Sequence, residues 1–68
     1  MLKITLAAAR INAGFSQKEA AKRLKISNKT LCKWEKGLSQ PTPNKIDVIC
    51  NLYGVSYDNL NFLPNNSL

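Results

Sequence analysis

Apolar residues recur with helical spacing in the stretch of residues 17–36, which is flanked by polar and glycine-containing turns. The apolar positions there are Ala20, Ala21, Leu24, Ile26, Leu31 and Trp34. Their spacings, i, i+1, i+4 in the first half and i, i+3 in the second, give each half one narrow apolar face. The pattern predicts two short helices, from Gln17 to about Leu24 and from about Asn28 to Lys36, joined by a tight turn.

Each of these two helices is preceded by a serine that can serve as its N-cap. Ser16 and Ser27 stand where a hydroxyl can accept a free backbone amide of the first turn. Ser16 is followed three residues later by Glu19, which is the spacing of a capping box. The small Ala21 lies where the two helices should cross. Two short capped helices in this order are typical of a helix-turn-helix, whose second helix enters the DNA major groove.

Three further helices are predicted outside this stretch. One runs from about Lys3 to Asn12, one from about Pro43 to Tyr53 with Thr42 as N-cap, and one from about Tyr57 to Leu63 after Ser56. The predicted core comprises Leu6, Ala9, Phe15, Ala20, Ala21, Leu24, Ile26, Leu31, Ile46, Ile49, Leu52, Val55 and Leu60, with Trp34 half-buried. The chain is therefore predicted to be all-α.

The length and the charge of the chain limit the classes of function that it can have. The 68 residues suffice for one domain with a small core, and the formal net charge is +6. Residues 1–36 hold nine of the ten Lys and Arg residues but two of the four acidic ones, so the cationic half contains the helix-turn-helix. Without histidine, the two cysteines, Cys32 and Cys50, do not complete a metal site, and we expect free thiols and no cofactor. No apolar run reaches the ~20 residues of a membrane span, and we expect a cytoplasmic protein.

The sequence resembles the Cro/CI-type (Xre) helix-turn-helix family of phage repressors and small bacterial regulators. The resemblance rests on Arg10, on GFSQKEAAKRL from Gly14, on ISNKTLCKWEKG from Ile26, on the prolines that follow, and on YGVSYDNL from Tyr53. It covers residues 1–63 as one DNA-binding domain, and residues 64–68 form a short polar tail. It implies a five-helix, lambda-repressor-like fold with the helix-turn-helix at helices 2 and 3.

The resemblance also implies one ion pair and exposes one departure. Arg10 lies beside an apolar face and needs a partner, which the family supplies as Glu35 at the end of the recognition helix. Lys25 stands where the family usually has a glycine in the left-handed conformation. Because a side chain there costs about 1 kcal/mol, we expect a strained or rearranged turn.

Candidate DNA contacts follow from the geometry of a recognition helix, whose first turns face the base edges. Asparagine can pair with adenine, lysine with guanine, and a threonine methyl can meet a thymine methyl. The candidate base contacts are Asn28, Lys29, Lys33 and Thr30. Phosphate contacts are expected at the start of the second helix and after the third. The candidates are Gln17, Lys36, Ser39 and Gln40, with Asn12 and Lys45 as weaker ones.

These observations predict a sequence-specific, double-stranded DNA-binding transcriptional regulator, with a repressor of phage or mobile-element origin as the first expectation. Family members usually dimerise on two-fold symmetric operators, so we expect a homodimer at least on DNA, through a patch near Val55–Phe62. An antitoxin-like module whose main partner is a protein is the alternative. An enzyme is disfavoured by the scattered acids and the lack of a base beside either cysteine. An RNA binder is disfavoured by the few free aromatic residues. Neither a small-molecule substrate nor a membrane partner is indicated.

Overall fold

The computed structural model of the protein describes residues 3–62. Within them, four α-helices and one 3-10 turn are closed by a pair of two-residue strands. The elements are β1 (Ile4–Thr5), α1 (Leu6–Asn12), α2 (Gln17–Leu24), α3 (Asn28–Lys36), α4 (Pro43–Tyr53), the 3-10 turn (Tyr57–Asn59) and β2 (Leu60–Asn61). The predicted tail, residues 64–68, and the last predicted helical residue, Leu63, lie outside the described residues.

Every α-helix of the described part has a serine or threonine hydroxyl as its N-cap. Thr5, Ser16, Ser27 and Thr42 each accept the backbone amide three residues ahead, at 3.0–3.4 Å. The capping box between Ser16 and Glu19 is complete, since the Glu19 carboxylate accepts the Ser16 amide at 3.0 Å. The predicted bounds of α2, α3 and α4 are confirmed.

The first helix is shorter than predicted. It begins at Leu6, because Thr5 is its N-cap and takes an extended conformation. Ile4 and Thr5 instead pair in parallel with Leu60 and Asn61. A two-residue strand is too short to show alternation in the sequence, and the pairing partner is more than fifty residues away, so no local signal reveals it.

The fifth helix was a wrong prediction. After Ser56 the chain makes a single 3-10 turn and then extends as β2, and the Ser56 side chain makes no capping hydrogen bond. Burial of Leu60, which is 4% exposed, is achieved in the strand opposite Ile4 rather than on a helix face. The fold is an all-α helix-turn-helix domain with four helices in the described range.

The core lies between α1, α2, α3 and α4. Its buried members are Leu6, Ala9, Ala20, Ala21, Leu24, Leu31, Trp34, Ile49, Tyr53 and Leu60. Phe15, Ile26, Leu52 and Val55 pack against it while partly exposed. Trp34 is 8% exposed rather than half-buried, which makes it a packing anchor. Ile46 is only partly buried.

The turn between α2 and α3 is not rearranged by the lysine in it. Lys25 adopts the left-handed conformation, with φ 59° and ψ 44°, and is the one non-glycine residue with positive φ in the described part. Its amide bonds to the Lys22 carbonyl at 3.1 Å, and the Ile26 amide reaches back to Ala21 at 3.0 Å. Lys25 therefore adopts a backbone conformation that strains a residue with a side chain but not glycine.

We expect Lys25→Gly to raise the free energy of unfolding by about 0.5–1 kcal/mol, because it removes the left-handed strain. Urea unfolding followed by circular dichroism measures the change. Lys25→Ala is the control, since it removes the charge but keeps a side chain in the same conformation. Equal unfolding midpoints for the two variants would show that strain at this position contributes nothing.

Candidate nucleic-acid interface

The surface of interest is built on α3, which packs through its inner face against α2. Ala21 on α2 and Leu31 on α3 are 3% and 0% exposed, and the α2–α3 contact is the most extensive between any two elements. A larger side chain than alanine at position 21 would separate the two backbones. The packing fixes which face of α3 meets solvent.

A partly buried ionic network locks the orientation of α3. Arg10 Nε donates to Glu35 Oε2 at 2.7 Å, and the side chains of the two residues are 13% and 7% exposed. A second Arg10 nitrogen, Nη2, donates to Glu35 Oε1 at 3.3 Å, and Nη1 donates to the Phe15 carbonyl at 3.0 Å. The Gln17 amide completes the network by donating to Glu35 Oε1 at 3.0 Å. One carboxylate thus joins α1, the start of α2 and α3.

Tyr53 on α4 lies within the electrostatic reach of this network. Burial, followed by the negative charge of Glu35, raises the pKa of Tyr53 to about 12, and the positive charge of Arg10 partly offsets this. The Tyr53 hydroxyl is buried and has no hydrogen-bond partner among residues 3–62, and its ring lies 6.2 Å from that of Phe15. The phenol therefore stays neutral at physiological pH and acts as a packing group.

The outward face of α3 is polar and cationic. Asn28, Lys29, Lys33 and Lys36 are all exposed. Lys29 and Lys33 are one helical turn apart, about 6 Å along the axis and 40° around it. Along this face, between α3 and the start of α2, lies an open depression. Seven residues line it: Gln17, Asn28, Lys29, Cys32, Lys33, Lys36 and Leu38.

The depression brings together five of the ten predicted DNA contacts, three of them lysines, and leaves five outside. Asn12, Ser39 and Gln40 are exposed but do not line it. Thr30 lies on the side of the helix, where its hydroxyl accepts from Ser27 Oγ at 2.9 Å. The Lys45 ammonium donates to the Leu24 carbonyl at 2.7 Å, so it binds the C-terminal end of α2.

Sequence analysis did not identify two of the residues that line the depression. Cys32 lies three and four residues after Lys29 and Asn28, so helical spacing alone would have placed it on the same outward stripe. Leu38 is 57% exposed and follows the left-handed Gly37, and its amide bonds back to the Lys33 carbonyl at 2.9 Å. This closure of the helix turns Leu38 back toward α3, which no sequence pattern indicated.

A second depression is lined by Phe15 and by the outward side of α2. Its charged members are Glu19, Lys22, Arg23 and Lys25, and the Arg23 guanidinium lies 5.4 Å from the centre of the Phe15 ring. The Ser16 amide and hydroxyl, and to a smaller extent Arg23, lower the pKa of Glu19 below its usual value. The charged residues that line this second depression are of both signs, whereas those that line the depression along α3 are all cationic.

Two other kinds of site find no support in the described residues. Between residues 3 and 62, no three His, Cys, Asp or Glu side chains are grouped as a metal ion would require. Within the same range, no helix is both long and apolar enough to cross a bilayer.

The fold and the cationic recognition-type helix define a helix-turn-helix protein, and comparison with known proteins identifies the family. A helix-turn-helix family model matches residues 6–60. The chain therefore belongs to the Cro/CI-type (Xre) helix-turn-helix family, as the sequence resemblance predicted.

One curated relative is similar over most of the chain. It is the HTH-type transcriptional regulator ImmR of Bacillus subtilis (strain 168), which is 42% identical over 52 residues. The alignment covers 76% of this chain and 41% of ImmR, so the chain spans about two fifths of the length of that relative. No solved structure matches the chain significantly.

Proposed function

We propose that the protein binds double-stranded DNA in a sequence-specific manner as a transcriptional regulator, with α3 in the major groove. The observation that carries the proposal is that the two faces of α3 differ. Its inner face is fixed by Leu31, Trp34 and the Glu35 network, while its outer face presents one amide and three ammonium groups. A rigid helix with free hydrogen-bond donors on one face is what major-groove readout requires.

The base readers in this proposal are Asn28, Lys29 and Lys33. All three are exposed and line the same depression, which supports one binding surface. Asn28 and Lys29 occupy the first turn of α3, the part of a recognition helix that enters the groove deepest. Thr30 can contribute its methyl group to a base or donate its hydroxyl proton to a phosphate, since that hydroxyl only accepts a hydrogen bond from Ser27.

The phosphate contacts flank this helix. Gln17 opens α2, where the first backbone amides have no partner within the helix and attract an anion. The hydrogen bond from its side-chain amide to Glu35 on α3 restricts where the Gln17 side chain can lie, which supports its role as a phosphate contact. Lys36, Ser39 and Gln40 lie at the other end of α3, and Asn12 ends α1. Lys45 is the weakest candidate, because its ammonium already binds Leu24.

The operator in this proposal is two-fold symmetric and is bound by two copies of the chain. One domain of this size covers a half-site, and recognition helices in such dimers lie about 34 Å apart. The patch around residues 55–62 is the proposed contact between copies. Tyr57, 58% exposed, stacks at 5.9 Å on Phe62 there and leaves aromatic surface uncovered.

Binding-site selection from random duplex DNA tests the proposed function. We expect enrichment of a symmetric site with half-sites about one turn apart, and a steep loss of affinity with salt from about four to six phosphate contacts per copy. Lys29→Ala should relax the preference at one base position, whereas Lys36→Ala should weaken all sequences alike. If no sequence is enriched and binding merely follows salt concentration, base readout by α3 is wrong.

A further inference from the structure

The depression along α3 contains an apolar part that the proposed base and phosphate contacts do not use. Leu38 is 57% exposed, and Cys32 lies between Asn28 and Lys36 on the same side of α3. Carbon and sulfur atoms make up most of the surface of the depression, because the lysines contribute their methylene stems to it. The ammonium groups around this apolar part can meet base edges and phosphates, whereas the exposed carbon and sulfur atoms of Leu38 and Cys32 need an apolar partner.

We infer that Leu38 and the Cys32 thiol form a contact for the 5-methyl group of a thymine in the operator. This inference rests on the proposed function and adds a specificity-determining feature to it. Among the four bases of the major groove, thymine alone presents a methyl group, and apolar side chains recognise it by contact. The surrounding Lys29, Lys33 and Lys36 favour a nucleic acid over an apolar peptide as the occupant.

The local structure fixes the backbone that carries these two side chains before DNA arrives. Cys32 lies in the middle of α3, and Leu38 is fixed by the left-handed Gly37 and by its amide bond to Lys33 at 2.9 Å. Little ordering of the loop backbone is therefore required on binding, which lowers the entropic cost of the methyl contact.

The test uses the intact chain and the duplex obtained by site selection, with each thymine in turn replaced by deoxyuridine, which lacks only the methyl group. We expect one thymine per half-site at which this replacement lowers affinity by about threefold to fivefold, as the loss of one buried methyl predicts. In Leu38→Ala that sensitivity should disappear, while sensitivity to salt stays unchanged. Cys32→Ala should reduce it in part.

Val48→Ala is the matched control, because Val48 is 42% exposed on α4 and does not line the depression. It should retain the full effect of deoxyuridine. Enrichment of a defined site in which no thymine responds to deoxyuridine would overturn the methyl contact and leave the proposed function standing. The same holds if Leu38→Ala keeps the wild-type response. Failure to enrich any site would overturn both.

Discussion

Glu35→Ala is expected to lower the free energy of unfolding by about 3 kcal/mol, because it strands a charge in a largely buried site. Glu35 accepts from Arg10 Nε at 2.7 Å and Nη2 at 3.3 Å, and from the Gln17 amide at 3.0 Å. Removing the carboxylate leaves Arg10 with its guanidinium inside the fold and one remaining acceptor, the Phe15 carbonyl. For a domain of this size the loss corresponds to a fall in Tm of about 15 °C, measurable by thermal circular dichroism.

The double variant Arg10→Met with Glu35→Leu separates the cost of a stranded charge from the value of the pair. Because replacing both members of a buried pair by apolar residues is often neutral, it should recover most of the lost stability. Arg10→Met alone should be nearly as damaging as Glu35→Ala, since it leaves a buried carboxylate. A loss below about 1 kcal/mol for Glu35→Ala would mean that solvent screens the pair as it does on a surface.

The parts of this fold that could be predicted from the sequence are those that depend on residues close together in the chain. Ser16, Ser27 and Thr42 fixed the starts of α2, α3 and α4, because an N-cap depends on residues within one turn of itself. The pairing of Ile4 with Leu60 joins the two ends of the described chain, and strands replace the start of the first predicted helix and part of the fifth. Tertiary pairing overrode local propensity there, as it often does in short segments.

The candidate site shows the same division. Lys29 and Lys33 were placed on one face by helical spacing, which the sequence displays directly. Leu38 was overlooked because its position depends on how the chain leaves α3 after Gly37. Lys45 was a weaker candidate for a phosphate contact, and only the folded chain shows its ammonium on the Leu24 carbonyl. A sequence shows which residues are charged, but it does not show which group each charged side chain binds.

Reversing two charges on α3, in the double variant Lys29→Glu with Lys33→Glu, is expected to lower affinity for the selected duplex by at least about 100-fold. Each lysine in the proposed complex donates to a base edge, and loss of one such contact is worth about 1–3 kcal/mol. A carboxylate in its place adds repulsion from the phosphates on both sides of the groove. Fluorescence anisotropy at fixed salt concentration measures the change in affinity. Both side chains are exposed in the free protein, so the double variant should remain folded, and circular dichroism verifies this.

The matched control reverses Lys22 and Lys25, which are equally exposed but line the depression on the outer side of α2. The total charge changes by the same amount, so any effect of net charge alone appears in both variants. We expect about a threefold loss for the control, because charges farther from the DNA than a Debye length of about 8 Å are largely screened at physiological salt. The salt dependence should also differ, with a shallower slope only in the α3 variant. Equal losses in the two variants would mean that the protein attracts DNA through its overall charge, and that α3 has no privileged place in the complex.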